Sequence, residues 1–183
     1  LDTHNGTSLA SMFQASSALT TIPMLDTHNG TDFSYMFYSC YALASIPQLN
    51  TSKGTNFHQM FQNCIALTTI PMLDTSNGTT FSVMFQSCSA LATIPPLDTS
   101  KGTVFTNMFY GCYALSRSKL TGVKYAISYA NCSLSRQEIL EIFTNLGTAS
   151  GAQTITVSSN PGATSLTADD KAIATAKGWT VAA

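Results

Sequence analysis

The chain has 183 residues, enough for one domain with a sizeable core, and 44% of them are hydrophobic. Only 9% are charged and the net charge is −1, well below the ~25% charged residues of an average soluble protein. That balance excludes a basic field for nucleic acid and a polybasic patch for anionic lipid, leaving a surface of Ser, Thr, Asn, Gln and Tyr.

Five copies of one pattern, opened by Leu1, Leu25, Leu49, Leu73 and Leu97, recur at a fixed spacing of 24 residues without insertion or deletion. Such a period predicts an α/β solenoid over residues 1–115, with a short strand and a short helix in each copy. No secretory leader precedes the first copy and no polar cap covers it. The chain is therefore expected to continue a longer protein, or to have its first copy covered by an upstream element. No apolar run approaches the ~18 residues of a membrane helix.

Within the second copy, Phe33, Met36, Phe37 and Cys40 fall at i, i+3, i+4 and i+7, the spacing of one helix face. Leu43 and Ile46 read as a short extended piece ended by Pro47, since proline offers the ladder no donor. Asn29-Gly30 reads as a turn in which glycine supplies a positive φ, with Gly6, Gly54, Gly78 and Gly102 in equivalent places. Stacking the copies generates two apolar columns: Phe13, Phe37, Phe61, Phe85 and Phe109, and Leu9, Phe33, Phe57, Phe81 and Phe105. These are core, not a cofactor box.

Ser16, Cys40, Cys64, Cys88 and Cys112 form a third column with Cys132 beyond it; five thiols, an odd number spaced one to a copy, read as buried and free. There is no Cys-x-x-Cys and no histidine at a recognisable ligand spacing, so neither zinc nor any other cofactor is expected. A fourth column, Asp2, Asp26, Asn50, Asp74 and Asp98, suggests calcium at first sight. The twelfth position of such a loop, where a bidentate Glu is required, is Phe37, so the acids are read as acceptors for their own turns.

Leu73-Asp-Thr-Ser-Asn, Met84-Phe85, Cys88, Leu91 and Ile94-Pro95 together resemble the BspA-like leucine-rich repeats, in the variant rich in Met-Phe and Cys. One departure is the glycine at the sixth position of each copy, where an apolar residue is expected. The resemblance implies a curved solenoid used for adhesion or host recognition, found in bacterial surface proteins and some phage structural proteins, and brings no catalytic residues.

After Leu115 the rhythm breaks. Residues 116–183 read as longer, helix-bearing repeats that close the same solenoid. A strand and an Asn131 corner lead into a helix from Arg136 to Leu146, with Ser135 and Glu138 at capping-box spacing. Ile155 and Val157 form a second strand before Asn160. Thr167 caps a second helix with Asp169 and Asp170 in its first turn, and Trp179 covers the last core layer from a final strand.

The three histidines, His4, His28 and His58, lie near no nucleophile, and His4 and His28 read as solvated turn residues, so no enzyme is expected. No glycine-rich phosphate loop opens a helix either. The positions that vary between copies lie opposite the core and suit binding. Tyr35, Tyr38 and Tyr41 in copy two are matched by Tyr110 and Tyr113 in copy five, with Gln62, Ile65, Val83 and Gln86 between them. Tyrosine presents an apolar face with a hydroxyl, apt for sugars or protein contacts. The expected partner is a host-surface protein or carbohydrate, met by an extracellular or cell-surface module or, alternatively, by a phage tail or tail fibre. Association with an upstream region or with other structural proteins is also expected. Rival readings are a structural spacer and an ice-binding face built on Thr20, Thr21, Ser45, Thr68, Thr69 and Thr93, interrupted by Ala44 and Ala92. Asn-x-Ser/Thr sequons occur at Asn5, Asn29, Asn50, Asn77 and Asn131 and are read as turn chemistry.

Overall fold

The computed structural model describes residues 3–183. Its organising feature is the treatment of backbone N–H groups in the segment of each copy that carries the Phe and Met residues. The N–H groups of Phe33, Tyr35, Phe37 and Ser39 donate to the carbonyls of Asn56, His58, Met60 and Gln62, one copy further on, at 2.8–3.0 Å. Those of Met36, Tyr38 and Cys40 close three-residue turns onto Phe33, Tyr35 and Phe37. The same alternation repeats in the next two copies, and isolated parallel bridges link Ser8, Asp32, Asn56, Thr80 and Val104.

This arrangement corrects the helix expected in each copy. Among the described residues up to Leu115 no α-helix forms. Phe33, Met36, Phe37 and Cys40 do all point inward and are fully buried, but every second N–H is committed to the neighbouring copy and cannot reach the i−4 carbonyl that a helix needs. The ribbon is instead bent by two left-handed residues in each copy. One column is Ser11, Tyr35, Gln59, Val83 and Asn107, the other Ala15, Ser39, Asn63, Ser87 and Gly111, with φ between 54° and 78°.

The glycine expectation is corrected too. Gly6, Gly30, Gly54, Gly78 and Gly102 are absent from the positive-φ residues. Their constraint is space: a Cβ on Gly30 would lie 2.7 Å from Phe33 Cζ and 2.9 Å from Leu9 Cδ1, and on Gly78 it would lie 2.4 Å from Phe81 Cζ.

The core is continuous along the chain. Phe13, Phe37, Phe61, Phe85 and Phe109 stack with centroids 5.4–5.9 Å apart and planes within 11° of parallel. Tyr129 extends this column onto Phe109 at 4.8 Å, its hydroxyl within 3.1 Å of Ser118 Oγ. The second column, Phe33 to Phe105, stacks at 5.5–5.7 Å. Offset aromatic pairs add ~0.5–1.5 kcal/mol each beyond area burial. The cysteines are free and buried; Cys40, Cys64, Cys88 and Cys112 donate Sγ–H to the carbonyls of Phe13, Phe37, Phe61 and Phe85 at 2.9–3.1 Å. Burial pushes the thiols up, that of Cys132 to about 12.

β1 (Thr93–Asp98) pairs in parallel with β2 (Arg117–Thr121). Proline does not end the extended piece in this copy: β1 runs through Pro95-Pro96, and the register slips between Ile94 and Leu97 where no N–H is available. β3 (Ile127–Ser128), β4 (Gln153–Thr156) and β5 (Trp179–Ala182) form a parallel sheet in that order. α1 (Arg136–Asn145) begins at Ser135, whose side chain accepts from Glu138 N, and α2 (Ala168–Thr175) begins with a full capping box between Thr167 and Asp170. Arg136 grips Asp170 with Nε–Oδ2 at 2.8 Å and Nη2–Oδ1 at 2.6 Å, holding the Asp170 carboxyl below its ordinary range. Lys177 Nζ donates to the Phe143, Thr144 and Leu146 carbonyls at the end of α1. Buried Asn160 accepts from Leu134 N and donates to the Tyr129 and Val157 carbonyls, and Trp179 is buried with Nε1 on Gly147 O.

Candidate recognition surface

The backbone bonds that stack the core segments also fix the outward side chains in columns. Ala15, Ser39, Asn63 and Ser87 N–H groups donate to the carbonyls of Tyr38, Gln62, Gln86 and Tyr110. Tyr38, Gln62, Gln86 and Tyr110 are thereby brought into one column, each tied through its own carbonyl to the preceding copy. Tyr41, Ile65 and Tyr113 form the column beside it, and the backbone of Tyr113 is held by Ser133 Oγ at 2.7 Å.

The candidates differ in how far they protrude. Tyr110 and Tyr113 are 62% and 61% exposed, Ile65 46% and Tyr41 44%. Tyr35, Tyr38, Gln62, Val83 and Gln86 are half-buried. Tyr35 takes a left-handed backbone and meets Tyr38 edge-on at 6.0 Å and His58 at 5.2 Å. His58 Nδ1 lies 2.6 Å from Ser82 Oγ. Gln59 donates to Gln62, and Gln62 Nε2 donates to Gln86 Oε1 at 3.3 Å. The middle of the surface is therefore an amide ladder, while the tyrosines of copy five stand clear of it.

A groove on another face escaped sequence reasoning. An open groove of about 790 Å³ is lined by Gln48, Met72, Leu73, Asp74, Pro96 and Leu97, among others. Its apolar lip belongs to a column that reads Met24, Gln48, Met72 and Pro96; Met24 is 80% and Met72 61% exposed. The available signal was an apolar residue just before the opening Leu of most copies. The Thr-bearing face is exposed at Thr20, Thr21, Ser45, Thr68, Thr69 and Thr93.

The acidic column behaves as turn chemistry: Asn50, Asp74 and Asp98 Oδ1 accept from the N–H two residues on at 2.9–3.2 Å. Ser52 and Ser76 hydroxyls add a bond to the same oxygen at 2.7 Å. Beside these turns, Lys53 Nζ reaches Asn29 Oδ1 at 2.8 Å and Lys101 Nζ reaches Asn77 Oδ1 at 2.7 Å. In the second copy Asp26 Oδ1 likewise accepts from the His28 N–H, at 3.4 Å, and imidazole stands where the third and fourth copies carry a serine hydroxyl. His4 Nδ1 lies 2.9 Å from Asp26 Oδ2 and His28 Nδ1 2.6 Å from Asp26 Oδ1. Both imidazoles hold the Asp26 carboxyl well below the ordinary carboxylate range. His28 lies two residues from Asp26 in its own copy, whereas His4 reaches the same carboxylate only once the copies stack.

The family model described as Mycoplasma protein of unknown function, DUF285, matches residues 7–123. The chain belongs to this family. No curated protein and no solved structure is detectably similar to it. All nine outward candidates lie within the DUF285 match, as do Asp26 and His28, while His4 precedes it. Among the described residues no helix is long and apolar enough to cross a membrane.

Proposed function

We propose that this DUF285 chain is a non-catalytic recognition module, a solenoid of the BspA-like leucine-rich type that displays a variable outer face at a cell or virion surface. The observation that carries the reading is the combination of a repeated interior with a changing exterior. Phe, Met, Cys and Leu positions recur copy after copy and are buried, whereas the column Tyr38, Gln62, Gln86 and Tyr110 changes chemistry at a fixed backbone register. Exposed tyrosines beside an amide ladder offer ring faces and paired donors and acceptors, the complement of a carbohydrate or a polar protein epitope. Uncharged surroundings favour a neutral partner over nucleic acid or anionic lipid.

The test is a glycan and cell-surface binding screen with the purified chain, beside Tyr110→Ser/Tyr113→Ser and Tyr38→Ala/Tyr110→Ala. Binding that falls at least roughly tenfold in variants with unchanged melting curves is the expected outcome, the size of a ~1.4 kcal/mol loss at an aromatic contact. Binding unaffected by both double variants would remove the tyrosine face from the proposal. Absence of any binding, with association of the chain with itself, would replace it by the structural-spacer reading.

A further inference from the structure

Three side chains from two successive copies, His4, Asp26 and His28, bring one ligand atom each within 4.8 Å of one another. The two imidazoles stand 5.1 Å apart, tilted by 50°, on either side of one carboxylate. Their supporting turns are already fastened together. Thr3 Oγ1 donates to Asp26 O at 2.6 Å and Asn29 Nδ2 to His4 O at 3.0 Å. Within each turn, Gly6 and Gly30 N–H groups close onto Thr3 and Thr27.

A second observation concerns the choice of residue: His28 makes the bonds of its own turn, N–H and Nδ1 both on Asp26 Oδ1, that a serine makes elsewhere. At the position of His4 and His28 the other copies carry Ser52, Ser76 and Ser100, and the serines at 52 and 76 bond the same acceptor oxygen of their own turns. Imidazole is therefore not needed to make the turn. Where it replaces serine, it does so in two adjacent copies, and in the third the carboxylate gives way to Asn50. Among the described residues, the donor set of two nitrogens and one carboxylate exists at one place in the stack.

We propose that His4, His28 and Asp26 bind a borderline divalent transition-metal ion, of which Zn²⁺ is the natural probe, as a clasp between the first two copies. Two imidazoles and a carboxylate suit Zn²⁺, Ni²⁺ or Co²⁺ over hard Ca²⁺ and Mg²⁺, which take all-oxygen shells. With bonds of ~2.0–2.2 Å, neighbouring ligand atoms in a tetrahedral zinc site stand ~3.3 Å apart. Side-chain torsions of the exposed imidazoles close the remaining distance with the backbone in place. Water completes the shell, as all three residues face solvent to a substantial degree. The ion exchanges two hydrogen bonds to Asp26 for coordination, and binding to the folded stack alone stabilises the first copy by linkage.

The experiment is Zn²⁺ titration of the full chain by calorimetry and by thermal melting, with Co²⁺ absorption as a coordination readout. Its comparison is His4→Ser/His28→Ser, which restores the residue of the other copies; His28→Gln serves if that variant melts abnormally. The expected result is a single Zn²⁺ site, a raised melting temperature, and affinity reduced at least roughly tenfold in the variant. A chain that shows neither heat nor thermal shift up to about 1 mM Zn²⁺, or a variant that binds as tightly as the parent, overturns the proposal. Equal binding would assign the ion to thiols or to His58.

Discussion

Gly78→Ala separates two explanations of why glycine recurs at the sixth position of every copy. If glycine were needed for a left-handed backbone, alanine would be strained whatever the surroundings. Here φ is ordinary and the obstacle is the aromatic column. The new methyl would lie 2.4 Å from Phe81 Cζ, 3.1 Å from Phe57 Cε2 and 3.0 Å from Thr75 O. Neither ring can swing aside, because each is stacked at 5.5–5.7 Å on its neighbours. Overpacking of this kind costs ~1–3 kcal/mol, and removing glycine from the unfolded chain returns ~0.4–1 kcal/mol. The net loss of about 1–2 kcal/mol lowers the melting temperature by roughly 2–8 °C in a chain of this size. Gly6 supplies the control, since among the described residues its Cβ would meet Thr3 O at 3.2 Å and Leu9 Cδ2 at 3.4 Å and no aromatic ring. Circular-dichroism melts of Gly78→Ala and Gly6→Ala should therefore differ, with the first clearly the less stable. Equal losses, or a Gly78→Ala protein at least as stable as the parent, would refute the steric account.

Val83→Asn should stabilise the chain by ~0.5–1.5 kcal/mol, read from urea melts, because a β-branched residue at φ 62° gives way to the residue that copy five carries at φ 54°. A loss of stability would mean that the Val83 side chain packs to more effect than its half-buried position suggests. Asp170 is held ionised by Arg136 and by the Thr167 N–H. Its carboxyl lies below the ordinary 3.8 in the folded chain, so its contribution is full above that pH and is lost as pH falls through the lower folded value. The melting-temperature gap between parent and Asp170→Asn should accordingly be largest near pH 7 and shrink below pH ~4; a gap independent of pH would contradict the pairing.

The columns were legible in the sequence because side-chain burial follows the repeat itself. Phe37, Cys40 and Leu43 recur at one spacing and turn inward together. The backbone was not legible, since Phe33, Met36, Phe37 and Cys40 have the period of a helix face and also that of a ribbon bent at Tyr35 and Ser39. Only the competition for N–H groups between the chain and its neighbouring copy decides between the two, and that competition is a property of the stack. The capped helices of the C-terminal region begin at the local signals Ser135 and Thr167, as the sequence predicts. The outward positions of Tyr110 and Tyr113 followed from the same register. The partnership of His4 with Asp26 did not, because it joins residues 22 positions apart, while His28 lies two positions from that carboxylate.

The lysine-to-asparagine contacts along the turns alternate: Lys53 reaches Asn29 and Lys101 reaches Asn77. Removing the fourth copy alone would set Lys53 beside Lys101, and removing the third alone would leave Asn29 facing Asn77 with no cation between them. Excising the third and fourth together joins Asn29 to Lys101 and leaves the ladder as it was. Shortening the chain by the third and fourth copies together thus keeps an alternation that removal of either one alone breaks.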